Sequence, residues 1–344
     1  MSSEDKIRIG LMGFGQVGRS LLRVLLDHPR VEVSAVVGEG DAQTLMYLLE
    51  HDTLLGRFPV SVELVDNKLL VLDGRQTIAF HHGRDVGPAD WAAHEAQAVI
   101  EATARPGVGR SQLEEHFDRG AQRVVLCVPP AEAPDRTVLM GVNHGDLTFG
   151  DRVVSNGSCT AHAAAPVLRL LDDRFGLQRV FLNTVHAYTN KQRLADVPAA
   201  DPRQGRAASE NIIPEASATD DMLASVLPQL EGRIYSAAMN VPVPNGSCVE
   251  LTCWHREPVS VEEINSTIEE ASGSEAWRTY LGYETAPIVS SDVLRSPLSG
   301  LFDSEATMVM DGKVSKTLTW FDNGWGYVHR AVELVEELAA LEEN

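Results

Sequence analysis

The stretch between residues 7 and 39 limits the fold of this chain more than any other. Ile7–Gly13 (IRIGLMG) is a short apolar run suited to a buried strand. Val17–Leu26 carries the apolar period of an amphipathic helix, and Val31–Val37 alternates and is rich in β-branched residues. Between the first strand and the helix stands Gly13-Phe14-Gly15-Gln16-Val17-Gly18, a G-x-G-x-x-G turn. A strand–turn–helix–strand unit with such a turn opens a doubly wound α/β sheet. The glycines let backbone approach a pyrophosphate, which rests on amide N–H groups and the positive end of the helix. The same pattern also suits a tight βα turn with no ligand. An acid that accepts the ribose 2′-hydroxyl is expected about 20 residues on, at the end of the second strand. That strand ends Val36-Val37-Gly38-Glu39, so the candidate is Glu39, one position late; a solvated loop carboxylate is the alternative. The displaced acid leaves NAD against NADP open.

Further short apolar strands are expected at Ala98–Ala102 and Arg123–Val128, with a helix at Ser111–Gly120 between them. The pattern changes near Val153. A turn, Ser155-Asn156-Gly157-Ser158, leads into a helix from Thr160 to Asp173. Longer β-rich runs follow at Val180–His186, Ile234–Val241, Ser247–His255 and Thr307–Phe321, interrupted by a polar loop from Thr189 to Arg206. Strands with few interleaved helices predict a second, α+β domain with a mostly antiparallel sheet. The end, Ala331 to Glu343, has the pattern of an amphipathic helix.

The charge balance, 29 basic against 49 acidic residues, gives −20 and repels phosphate backbones, which argues against nucleic-acid binding. Only five lysines occur: Lys6, Lys68, Lys191, Lys313 and Lys316. No apolar run reaches the roughly 18 residues of a membrane span, and the polar, acidic start is unlike a signal peptide, so a cytoplasmic protein is expected. Four scattered cysteines (Cys127, Cys159, Cys248, Cys253) suit neither a disulfide framework nor a paired zinc motif, and no metal is expected.

Cys159 stands at a strand-to-helix junction, where the positive end of the helix favours a thiolate. A thiolate is an effective nucleophile towards an aldehyde. His186 closes a strand in Thr184-Val185-His186-Ala187-Tyr188 and is placed to pair with that thiolate and accept a proton. Taken singly, each has a plainer reading, a small buried hydrophobe and a structural histidine.

The segments SNGSCTAHAAAP (155–166), HAYTNKQ (186–192), DPRQGRAASENIIP (201–214) and WFDNGWGY (320–327) closely resemble the phosphorylating glyceraldehyde-3-phosphate dehydrogenase family. So do GFGQVGR, LLEHDTLLGRF, GVNHGDL and SSDVLRSP, in family order over nearly the whole chain. The resemblance implies a Rossmann cofactor domain at 1–158, completed by a C-terminal helix at 323–344, and a catalytic domain at 159–322. It implies Cys159 as nucleophile and His186 as base, with NAD or NADP held by the turn Gly13–Gly18, Glu39, Thr103, Asn323 and Tyr327. It implies Ser158, Thr160, Thr189, Ser217 and the position of Asn240 around substrate or phosphate. A small aldehyde, inorganic phosphate and a homotetramer complete the expectation, with Thr189–Arg206 as the loop that reaches a neighbouring subunit.

The sequence departs from that pattern around phosphate. Asn240-Val241-Pro242-Val243 stands for the family's Arg-Val-Pro-Thr, Gln204 for the second of two arginines, Ser217-Ala218 for Thr-Gly and Asp221 for a lysine. An amide does not replace a bidentate guanidinium. Lys191 replaces an aspartate and is expected either to restore a cation beside Thr189 or to be a solvated loop lysine. His162 replaces an asparagine, and its expected role is packing, tuning of the thiol or holding an anion.

Overall fold

A computed structural model describes residues 6–103 and 107–341. The chain divides into two compact units. One comprises the described residues up to Val138 together with His144–Gly157 and those from Val328 on; the other comprises Leu139–Asn143 and Ser158–Tyr327.

The first unit is built on β1 (Ile7–Met12), α1 (Gln16–Leu25), β2 (Val31–Glu39) and α2 (Ala42–Glu50). A small hairpin, β3 (His51–Asp52) and β4 (Gly56–Arg57), precedes β5 (Val62–Val65), β6 (Leu69–Leu72) and β7 (Gln76–Gly83). Then come β8 (Ala98–Glu101), α3 (Arg110–Asp118), β9 (Arg123–Leu126), β10 (Arg136–Thr137) and β11 (Val153–Ser155). They form one nine-stranded sheet in the order β10-β11-β9-β8-β1-β2-β7-β6-β5, with β3 and β4 apart. Pairings from β10 to β7 are parallel, and β6 and β5 join antiparallel at the edge. Chain order reverses between β1 and β8, the switch point at whose carboxyl edge doubly wound sheets bind ligands. Met12, Val37, Val99 and Trp91 close one core of this unit, and Val124, Leu126, Leu113 and Val153 another.

The second unit starts with α4 (Cys159–Phe175), β12 (Leu177–Ala187), β13 (Ile213–Glu215) and α5 (Thr219–Val226). It continues with β14 (Ile234–Val241), β15 (Ser247–His255), α6 (Val261–Gly273), β16 (Leu281–Glu284), β17 (Gly300–Met310) and β18 (Val314–Phe321). Seven strands run β13-β14-β12-β15-β18-β17-β16; β12–β14 and β16–β17 are parallel and the rest antiparallel. The α+β expectation and its mostly antiparallel sheet are therefore met. Every side chain of α4 from Thr160 to Leu168 is buried. Its alanines allow close approach to the sheet: a Cβ on Gly300 of β17 would lie 3.4 Å from the Cα of Ala163. With Val180, Leu182, Val249, Leu251 and Phe302 they form the core, where each large side chain contributes about 1.5–3 kcal/mol by burial.

Two expectations change. Thr307–Phe321 is not one run but the end of β17, a turn at Asp311 and Gly312 with positive φ (52° and 63°), and β18. The C-terminal helix α7 is Trp325–Ala340, starting six residues before the Ala331 expected from its apolar period. Residues 342–344 lie outside the described residues, as do the polar residues 1–5.

Candidate active site

In the first unit the glycine turn has the shape a dinucleotide demands. Gly13 has φ +109°, and a Cβ there would fall 2.5 Å from the Ala102 carbonyl. A Cβ on Gly18 would fall 2.1 Å from the Gly13 oxygen, so helix and turn pack as closely as glycine permits. At Gly15 a Cβ would meet nothing within 4 Å. No side chain caps α1, which begins after Gly15, so its first-turn amides from Gln16 and Val17 onward stay open to an anion, while Phe14 is buried with its ring edge-on to Phe80. The turn thus fits a pyrophosphate.

Thr103 follows β8. Its N–H donates to Glu101 Oε1 at 2.9 Å, and its hydroxyl bonds the same oxygen. Glu101 is itself buried and accepts from His116 Nε2 at 3.2 Å, while Trp91 Nε1 donates to His116 Nδ1 at 3.0 Å. Gly38, where β2 would otherwise present a carboxylate, is filled from outside: a Cβ would lie 2.8 Å from Leu45 Cδ1 and 3.0 Å from Phe14 Cβ. Glu39 is exposed at the end of β2.

In the second unit Cys159 is the first residue of α4. Ser158 caps the helix, its hydroxyl accepting from Ala161 N at 3.1 Å, and Thr160 is buried. The Cys159 sulfur lies 3.6 Å from His186 Nε2, near the end of β12. His186 Nδ1–H donates to the Ala187 carbonyl at 2.6 Å, which directs Nε2 at the sulfur. Burial alone would lower the His186 pKa. The hydrogen bond and charge of Cys159, the Ala187 carbonyl and Glu215 outweigh it, and the pKa is raised. Asn323 Nδ2 sits 3.3 Å from His186 Nδ1. Ser247 holds Asn323 there, its hydroxyl donating to Asn323 Oδ1 at 2.7 Å and accepting from Ala187 N at 2.9 Å. Tyr327 on α7 meets the buried His162 ring edge-on, 6.2 Å between centroids.

Beside His186 the parallel register brings Asn240 of β14. Asn240 is 3% exposed, and its Nδ2 donates to Glu215 Oε2 at 2.5 Å. Gln192 Nε2 donates to the same oxygen at 3.4 Å, while Gln192 Oε1 accepts from Thr189 N at 2.8 Å and Thr189 Oγ1 at 2.9 Å. Lys191 is exposed and reaches Thr189 only through its backbone N–H, 3.3 Å from Thr189 Oγ1. The Ser217 hydroxyl donates to Thr219 Oγ1 at 3.0 Å at the start of α5. Glu215 and Ser247 went unnoticed in the sequence. Glu215 follows Asn211-Ile212-Ile213-Pro214, a motif that draws attention to itself rather than to what it carries.

A family model described as the NAD binding domain of glyceraldehyde 3-phosphate dehydrogenase matches residues 7–107, and one described as its C-terminal domain matches residues 158–323. The chain belongs to the glyceraldehyde-3-phosphate dehydrogenase family. It is 37% identical over 334 residues to glyceraldehyde-3-phosphate dehydrogenase 1 of Bacillus subtilis, covering 97% of this chain and 98% of that one. The enzyme of Geobacillus stearothermophilus is 38% identical over 335 residues (97% and 98%), and that of Streptomyces coelicolor 40% over 332 (95% and 97%). This member of the family is accordingly an NAD-dependent oxidoreductase of the glyceraldehyde-3-phosphate dehydrogenase type, with a Rossmann domain and a catalytic domain. Among its described residues no helix is long and apolar enough to cross a membrane.

Proposed function

We propose that this enzyme oxidises a small aldehyde through a thioester on Cys159, with His186 as the base. The 3.6 Å approach of Cys159 Sγ to His186 Nε2 carries this reading. Cys159 gives up its proton to His186 and its sulfur adds to the aldehyde carbon, forming a hemithioacetal. The oxyanion lies near the first turn of α4, whose amides lack intrahelical acceptors. The imidazolium returns its proton to that oxyanion, giving the hydroxyl, and the now neutral His186 takes the proton back as the carbonyl reforms. Gly13–Gly18 and Thr103 would hold NAD, which would supply the hydride acceptor for the oxidation. The resulting thioester is released by a nucleophile, inorganic phosphate or water. Ser247 fixes the Asn323 amide, donating to its Oδ1 and accepting from Ala187 N.

Two substrate classes fit this chemistry, a phosphorylated triose and an unphosphorylated aldehyde. The Glu215–Asn240 pair favours the second. A homotetramer in the cytoplasm goes with the proposal. Phe181, Tyr235 and Trp254 stand exposed on the sheet face opposite α4, an apolar surface suited to another copy, and all four cysteines are free thiols. The test is a panel of phosphorylated and neutral aldehydes with NAD, with and without phosphate, on the wild type and Cys159→Ser. NADH formation that needs Cys159 is expected; equal activity in the variant overturns the mechanism.

A further inference from the structure

We infer that Glu215 is a specificity-determining residue that rejects an anionic substrate tail and accepts a neutral, hydroxyl-bearing one. The inference rests on the reading that an aldehyde is oxidised at Cys159, and it concerns the end of the substrate remote from the sulfur.

Three observations place Glu215. It ends the edge strand β13, whose partner β14 sets Asn240 alongside His186. Its charge is felt at His186, whose pKa it helps to raise. Its Oε2 is occupied by the amides of Asn240 and Gln192, while among the described residues no lysine or arginine pairs with it. Oε1 is left as an acceptor, and the side chains bonded to Glu215 are an asparagine and a glutamine, the latter bonded in turn to Thr189.

That set has one chemical preference. A phosphate monoester needs donors and positive charge. Here the amide donors of Asn240 and Gln192 are already directed at Glu215, and Lys191 points to solvent. A phosphate entering this corner would meet a like charge where removal from water strengthens the repulsion. A hydroxyl needs no positive charge and can donate to Glu215 Oε1, which the two amides leave open. A cationic tail is matched less well, because two amides already stabilise the carboxylate. The substrate class is a short neutral hydroxyaldehyde.

The experiment compares D-glyceraldehyde with glyceraldehyde 3-phosphate in the full enzyme with NAD, reading kcat/KM for each and Cys159 acylation by intact mass. The wild type is expected to favour the neutral aldehyde. Glu215→Gln, which keeps size and hydrogen bonding but removes the charge, should shift the ratio towards the phosphorylated substrate at least tenfold, mainly through KM. Glu215→Ala should shift it in the same direction, and a melting curve shows whether either variant is folded; if neither is, the wild-type preference alone decides. Glycerol 3-phosphate should inhibit the variants more strongly than the wild type. A wild type that prefers the phosphorylated aldehyde, or a folded Glu215→Gln with an unchanged ratio, overturns the inference. If neither aldehyde acylates Cys159, it is the thioester reading that fails instead.

Discussion

His186→Asn separates the base from everything else the site provides. Asparagine keeps a polar group near the Ala187 carbonyl and much of the packing, since the imidazole meets Phe321 only edge-on at 6.1 Å between centroids. It removes the group that faces the sulfur at 3.6 Å and can take its proton. A positioned base is worth roughly 10²–10⁴-fold, which is about 2.7–5.5 kcal/mol of barrier. The upper part of that range is expected, because the ring is both oriented by a 2.6 Å hydrogen bond and raised in pKa by its surroundings. The assay is rapid mixing of enzyme, NAD and saturating aldehyde, following the first turnover of NADH by absorbance. Fluorescence quenching by NAD should be unchanged, because the altered residue lies outside the unit that holds the glycine turn. In the wild type the imidazolium persists above its usual range near 6.5, and deprotonation should appear in the pH–rate profile above that value. A variant within threefold of the wild-type first turnover would refute the assignment.

Thiol reactivity should sort by environment. Burial pushes the Cys253 thiol up to about 12, and burial with Glu250 and Asp303 pushes Cys248 to about 12, so iodoacetamide should label Cys159 well before either; peptide mapping that finds Cys248 or Cys253 modified first contradicts this. Asp151 tests stability in the first unit. Burial alone would raise its pKa, but Arg136 Nε, Thr148 N and the Thr148 hydroxyl at 2.8–3.0 Å lower it below 3.8. A depressed carboxylate stabilises the fold above its unfolded pKa and loses that contribution as pH falls through the folded value. Asp151→Asn should therefore cost about 1.5–3 kcal/mol at pH 7, with the difference in Tm closing below pH 4; a difference that grows in acid would be the wrong sign.

The sequence was most legible where local spacing alone decides the structure. The G-x-G-x-x-G turn, the strand before it and the helix after it are contiguous, and so is the junction that puts Cys159 at the head of α4. Lys191 shows the limit: its place two residues from Thr189 could not tell whether its side chain turns inward, and it turns out to solvent. Glu215 shows another. Its meaning comes from Asn240, 25 residues on, through strand register that no local pattern encodes. The β17–β18 turn carried a signal in Asp311-Gly312, a dipeptide suited to tight hairpins, which the surrounding apolar residues masked. At Gly38 the sequence showed a missing carboxylate, but not that Leu45 and Phe14 occupy the space.

The central claim is that the aldehyde carbon becomes bonded to Cys159. Enzyme, NAD and aldehyde are mixed without phosphate, quenched in acid within the first turnover and analysed by intact-protein and peptide mass spectrometry. The account predicts an added acyl group on the peptide carrying Cys159, sensitive to hydroxylamine, in proportion to the NADH formed and missing in Cys159→Ser. NADH produced in stoichiometric amount with no adduct on Cys159, or with the adduct on another residue, would contradict it.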